Sequence, residues 1–223
     1  MSKTVLLAAA AAFALTASGA SAAVPTAHFA GGTYVKFHTP KKAKMLYNQN
    51  SNYASDGISS QNFTSGTFST YNDTAADDFV VPKKSTWTVT EVDVSGTTSL
   101  GGTPVSETVI FYTNGNGIPG KPVKKGTFTV TGTYSNGNIA IKLPKKGMAL
   151  KAGTYWVSVA ANMNFGTMGQ WYWDVNSVQH GSGAQWQNPG GGFAICPTWE
   201  SIVTCNGATG PDLMFDLQGS SKK

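Results

Sequence analysis

The residues able to do covalent or acid–base chemistry are few in this 223-residue chain: three histidines, two cysteines and eleven carboxylates. Nucleophilic catalysis asks for a nucleophile, a base and a group that orients the base. Gln179-His180-Gly181-Ser182-Gly183 puts a serine beside a histidine. Neighbours on one loop seldom bring hydroxyl and imidazole together, and there is no Gly-x-Ser-x-Gly elbow. His28 and His38 fall in an irregular N-terminal stretch, and the chain has no His-Glu-x-x-His. Glycoside hydrolysis needs two carboxylates across a cleft. Glu91 and Glu107 read as solvent-facing strand residues, which leaves Glu200, beside Trp199, and Asp174 for a small polysaccharide-active enzyme. Catalysis is not the expected function.

Binding chemistry is better represented. Trp156, Trp171, Tyr172, Trp173, Trp186 and Trp199 are interspersed with Asn, Gln and Gly. Flat aromatic faces stack on sugar rings while amides bond the hydroxyls, so such a set can bind carbohydrate. Tryptophans also fill sandwich cores, and Trp87, Trp156 and one face of the 171–173 run are expected there. Tyr172, Trp186 and Trp199 are then the expected exposed glycan platform, with Asn188 in the Asn188-Pro189-Gly190-Gly191-Gly192 rim. The only cofactor suggested is a structural calcium, held by Asp77, Asp78 and Asp212 if the strands they begin are neighbours. The alternative is that these aspartates cap turns and accept bonds from backbone amides.

Export is written in the first residues. Lys3 precedes an apolar run from Val5 through Leu15, and Ala20-Ser21-Ala22 gives the small-x-small pattern of a cleavage site. Residues 1-22 are therefore expected to leave as a signal peptide, giving a secreted or periplasmic protein with no membrane span. Cys196 and Cys205 then read as one disulfide closing a short loop. The formal charge of +5 comes entirely from lysine, with no arginine fork for phosphate or guanine, so nucleic acid is not an expected partner. Lys41-Lys42, Lys83-Lys84, Lys124-Lys125 and Lys145-Lys146 look like solvated loop tips, and a glycan or cell-surface polymer is the expected partner.

These residues must be positioned by strands. Residues 23-70 are polar and poorly periodic, and read as an arm with edge strands; 71-219 form the sandwich and 220-223 a tail. After Asp77, short β-branched and aromatic runs alternate with turn clusters, the pattern of an antiparallel sandwich. Trp87 and Val89 share one phase and Val92 and Val94 the other, which predicts a β-bulge between them. Asn136-Gly137 predicts a hairpin between Thr127–Thr131 and Asn138–Leu143. Asp212–Gln218 alternates Leu213, Phe215 and Leu217 with Asp212, Met214 and Asp216, predicting one buried and one wet face. No stretch of the mature chain has helical periodicity.

Four motifs occur in order: Ala76-Asp77-Asp78-Phe79-Val80-Val81-Pro82 before Trp87, Gly117-Ile118-Pro119-Gly120, Leu150-Lys151-Ala152-Gly153-Thr154-Tyr155-Trp156-Val157, and Asp212-Leu213-Met214-Phe215-Asp216-Leu217-Gln218-Gly219. With these motifs the chain resembles a group of exported bacterial jelly-roll modules over roughly Leu46 to Gly219. The resemblance implies fold and export more than activity. The combined expectation is an all-β, jelly-roll-like antiparallel β-sandwich that binds carbohydrate or cell-surface material through an aromatic patch. The alternatives are a structural or adhesive protein binding other proteins through sheet edges, and the small polysaccharide-active enzyme.

Overall fold

The computed structural model describes residues 23–35, 44–144 and 146–223. The expected signal peptide, His38 and the Lys41-Lys42 pair lie outside the described residues. The strands are β1 (His28–Ala30), β2 (Lys44–Asn48), β3 (Tyr53–Ser59), β4 (Gln61–Phe63), β5 (Thr74–Val94), β6 (Gly96–Thr98), β7 (Ser106–Asn114) and β8 (Pro119–Val130). They continue as β9 (Thr133–Ser135), β10 (Asn138–Lys142), β11 (Met148–Met163), β12 (Trp171–Asn176), β13 (Gln185–Gln187), β14 (Glu200–Ser201), β15 (Asp212–Leu213) and β16 (Phe215–Lys222). Among the described residues helix is confined to a 3-10 segment at Gly66–Tyr71 and to the short α1 (Phe165–Met168) and α2 (Ile202–Asn206).

The strands form an all-β sandwich. The larger sheet runs β14-β13-β5-β11-β7-β8; β10 and β16 also pair with β5, β2 with β16, β9 with β10, and β4 with β11. The smaller runs β1-β3-β12-β15, with β6 also on β12. Every pairing is antiparallel except the short β4–β11 contact. Phe79, Trp87, Phe111, Val157 and Val159 of the large sheet meet Ile58, Trp171, Trp173 and Val175 of the small one in a single core. The sheets join at a corner where β5 passes through Ser95 into β6 and β15 passes through Met214 into β16. There the Ser95 amide donates to the Met214 carbonyl and the Met214 amide to that of Asp174 (3.1 and 2.9 Å).

The expected bulge lies at Thr90. Gln218 pairs with Glu91 and Gly219 with Val89, so Thr90 has no partner and the side-chain phase changes there. The Asn136-Gly137 turn is also present, both residues having positive φ (50° and 91°). It joins β9 to β10, however, and residues 127–130 belong instead to β8 on the sheet edge. Gly137 is required by close approach as well as by φ: a Cβ there would stand 1.9 Å from the Gly96 carbonyl oxygen.

Three further expectations are corrected. β3 lies between β1 and β12, so the 23-70 segment contributes an internal strand as well as edge strands. Most of the 220-223 segment is no tail, since β16 pairs with β5 as far as Lys222. The expected wet face of the closing strand is absent, because Asp212, Met214 and Asp216 are as buried as their apolar neighbours.

Candidate functional site

The expected aromatic platform is dismantled by burial. Trp186 is 0% exposed, its indole N–H donating to the Ser59 carbonyl at 2.9 Å while Phe193 packs on its ring. Tyr172 is 2% exposed, because Phe29 of the N-terminal arm stacks on it and its hydroxyl bonds to Thr26 and Gln170. Asn188, also fully buried, donates to the Thr70 and Asn72 carbonyls and accepts from the Phe193 amide. It staples the glycine loop instead of presenting an amide to a ligand. Trp156 is buried on the outward face of the large sheet, with Ala76 and Tyr112. Of the proposed platform Trp199 alone is half-exposed, edge-on to Tyr112 at 5.8 Å. The disulfide Cys196–Cys205, Cα atoms 5.9 Å apart, closes the loop that carries it.

Asp77, Asp78 and Asp212 are brought together, and all are buried. Asp77 accepts from the amides of Asp78 and Leu213 (2.7 and 2.8 Å) and from the Gln49 side chain (2.6 Å), tying one sheet to the other. Asp78 accepts from the Ser182 amide at 3.2 Å, and Asp212 from the His180 amide. A Cβ on Gly181 would stand 2.3 Å from Asp78 Oδ1, so only glycine lets the 180–183 loop close over these carboxylates. Burial raises the pKa of all three, Asp212 to about 7. Among the described residues no group of three or more His, Cys, Asp or Glu side chains has metal-holding geometry. The His180 imidazole lies 3.5 Å from Asp212, while Ser182 faces Asp78.

Burial of carboxylates extends across the molecule, a pattern the sequence did not announce. Every carboxylate except Glu200 is buried. Asp93 and Asp216 face each other across β5 and β16, with Gln218 donating to both (2.6 and 3.3 Å). Burial, compounded by the neighbouring acids, lifts Asp93 to about 8, and burial lifts Asp216 to about 6. Asp73 rises to about 8, and Glu107 and Asp174 to about 7, by burial. Glu91 and Glu107 are therefore not the solvent-facing residues expected. Glu200 lies exposed on β14, its carboxylate within hydrogen-bond reach of its neighbour Ser201's amide, and Asp174 is sealed behind Thr97.

One cleft open to solvent, of about 350 Å³, is lined by Thr33, Val35, Thr97, Thr98, Gly101, Tyr134 and Asn136. Four segments build it: the arm supplies Thr33 and Val35, β6 supplies Thr97 and Thr98, the loop after β6 supplies Gly101, and the β9–β10 hairpin supplies Tyr134 and Asn136. The Trp171 indole N–H donates to the Gly137 carbonyl at 2.7 Å and anchors that hairpin to the core. The hydroxyls of Thr98 and Tyr134 are 3.1 Å apart, and the Thr97 hydroxyl donates to Asp174 at 3.3 Å. Donation to Asp174 leaves the Thr97 oxygen as an acceptor. The lining is thus one aromatic ring, several hydroxyls, an amide and the apolar Val35, without a charged group. Sequence reasoning passed over these residues, since a threonine pair in a short strand and a tyrosine before a turn carry no ligand signature by themselves.

No family model and no curated protein matches the chain. Among solved structures, the chain is similar to the cysteine protease and lectin-like domains of Cwp84, a surface layer associated protein of Clostridium difficile. The TM-score is 0.51 at 14% identity, and the match covers 84% of this chain and 37% of that one. At that identity the likeness establishes the fold, an all-β sandwich shared with part of a surface protein.

Proposed function

We propose that this protein is an exported, non-catalytic β-sandwich that binds carbohydrate at a cell surface, in the Tyr134 cleft and not on an exposed tryptophan platform. The observation that carries this reading is the lining of the cleft. A ring face edged by Thr33, Thr97, Thr98 and Asn136 suits a neutral polyhydroxylated ligand: the ring takes the apolar face of a sugar and the hydroxyls and amide exchange bonds with its OH groups. A disulfide fits an oxidising compartment outside the cytoplasm. The similarity to a chain that includes a lectin-like domain points the same way.

The adhesive alternative, strand addition at an open edge, fares less well. Edge strand β8 carries Pro119, Pro122 and three exposed lysines, devices that discourage pairing with another chain. The test is a glycan array followed by calorimetry on the best hit. Tyr134→Ala is expected to weaken binding at least about tenfold, the loss of one stacking ring, and Trp199→Ala to leave it within about twofold because that residue lies outside the cleft. Loss of binding in Trp199→Ala with Tyr134→Ala unchanged would return the site to the disulfide loop, and no binding of any glycan would remove the reading.

A further inference from the structure

The positive charge of this protein is not balanced where it stands. Every described lysine is exposed and every Asp and Glu side chain but Glu200 is buried. The two charge contacts among the described residues, His28–Asp56 and His180–Asp212, both use histidine. Exposed ammonium groups without local counter-charges create a potential over the surface they share. Several share one surface. On the outward face of the large sheet Lys222 pairs with Thr86, and Thr86 with Lys151, so one row reads Lys222-Thr86-Lys151 across β16, β5 and β11. The next row reads Ser220-Thr88-Ala149. Lys83 and Lys84 occupy the exposed end of this surface, Lys84 with φ of +63°, and Lys142 flanks it on β10 beside Glu91, which is 7% exposed.

Strands about 4.8 Å apart place Lys222 and Lys151 roughly 10 Å from one another, with a threonine hydroxyl between them. The surface is open along the rows and furnished with ammonium and hydroxyl groups. Such a surface does not enclose a small anion; it accommodates an extended chain whose negative groups recur along it. Lysine, a hydrated point charge, suits such a ligand without demanding fork geometry.

We infer that the outward face formed by Lys83, Lys84, Thr86, Lys151 and Lys222 binds a linear anionic glycan polymer carrying repeated phosphate or carboxylate groups. This interaction is independent of the Tyr134 cleft.

The test compares two charge-matched triples of the full chain, Lys84→Gln/Lys151→Gln/Lys222→Gln on the face and Lys121→Gln/Lys124→Gln/Lys125→Gln on β8. The probes are a chain of phosphodiester-linked sugars and polygalacturonate, titrated at low and high salt, with duplex DNA as a further arm. The face triple should bind at least about tenfold more weakly with a shallower salt dependence, and the β8 triple should stay within about twofold of wild type. Binding of the first probe identifies phosphate as the recognised group and binding of the second carboxylate; either sustains the inference. Equal weakening by both triples, DNA bound as tightly as the glycan polymers, or no binding by the wild type would overturn it. Tyr134→Ala should leave polymer binding unchanged, which separates failure of this inference from failure of the cleft reading.

Discussion

Strands β5 and β16 run side by side, and their outward side chains divide into two halves. At one end stand Asp93 opposite Asp216 and Glu91 opposite Gln218; at the other stand Thr88 opposite Ser220 and Thr86 opposite Lys222. Both halves belong to one antiparallel ladder, interrupted at the Thr90 bulge, yet the first set is buried and the second is largely open to solvent. The difference is the cover. Asn50 reaches Asp216 and accepts from the Ser95 hydroxyl, and Tyr34 lies near enough that burial, Asp174 and Asp216 raise its pKa. Nothing comparable among the described residues lies over Thr86 and Thr88. Period-two alternation therefore tells which way a side chain points, and a distant segment decides whether that direction is wet.

The strongest challenge to this comparison is pH. Carboxyls whose folded pKa values lie at about 6 to 8, against about 4 in an unfolded chain, hold protons the unfolded chain has released. Their contribution to stability is present below about pH 4 and is lost as pH rises through those folded values. Each titrating group contributes up to about 1.4 kcal/mol per pH unit. Urea midpoints should fall steadily from pH 5 to pH 8. A flat profile would mean that the buried half is ionised and solvated.

A smaller effect is expected from Gln218→Ala, which removes the donor shared by Asp93 and Asp216: about 2 to 3 kcal/mol of unfolding free energy, read by denaturant titration. Opening the disulfide with Cys196→Ser/Cys205→Ser should cost about 2 kcal/mol and shift the near-ultraviolet circular dichroism of Trp199 and Trp156. Thr88→Val, in the bare half, should change stability by less than about 0.5 kcal/mol. If Thr88→Val and Gln218→Ala cost the same, the two halves do not differ.

Much of the fold was legible in the sequence. The Trp87/Val89 and Val92/Val94 phases located the bulge, Asn136-Gly137 located a turn, and the alternating set Leu213, Phe215 and Leu217 is core. These signals are local, and local geometry enforces them. The partner of the Asn136-Gly137 hairpin was misassigned because only three residues of β9 pair, too few for a pattern. The candidate site was hardly legible at all. Tyr172 and Trp186 were expected outside because amides and glycines surround them in sequence, but Phe29 and Ser59, more than a hundred residues away along the chain, put them inside. Aspartates in strands were read as wet by residue type, and only Gln49, Gly181 and the arm make their burial tolerable.

The pairing of β5 with β16 also sets the order of events during synthesis. The ladder partner of Thr86 is Lys222, 136 residues later in the chain (222 − 86). Until that segment emerges, one long edge of the central strand has no ladder and the carboxyls beneath it no lid. Pairing of such distant segments is slow, because loop closure must precede any reward from contact. A nascent chain in this condition completes its sandwich only after nearly all of the described sequence has been delivered.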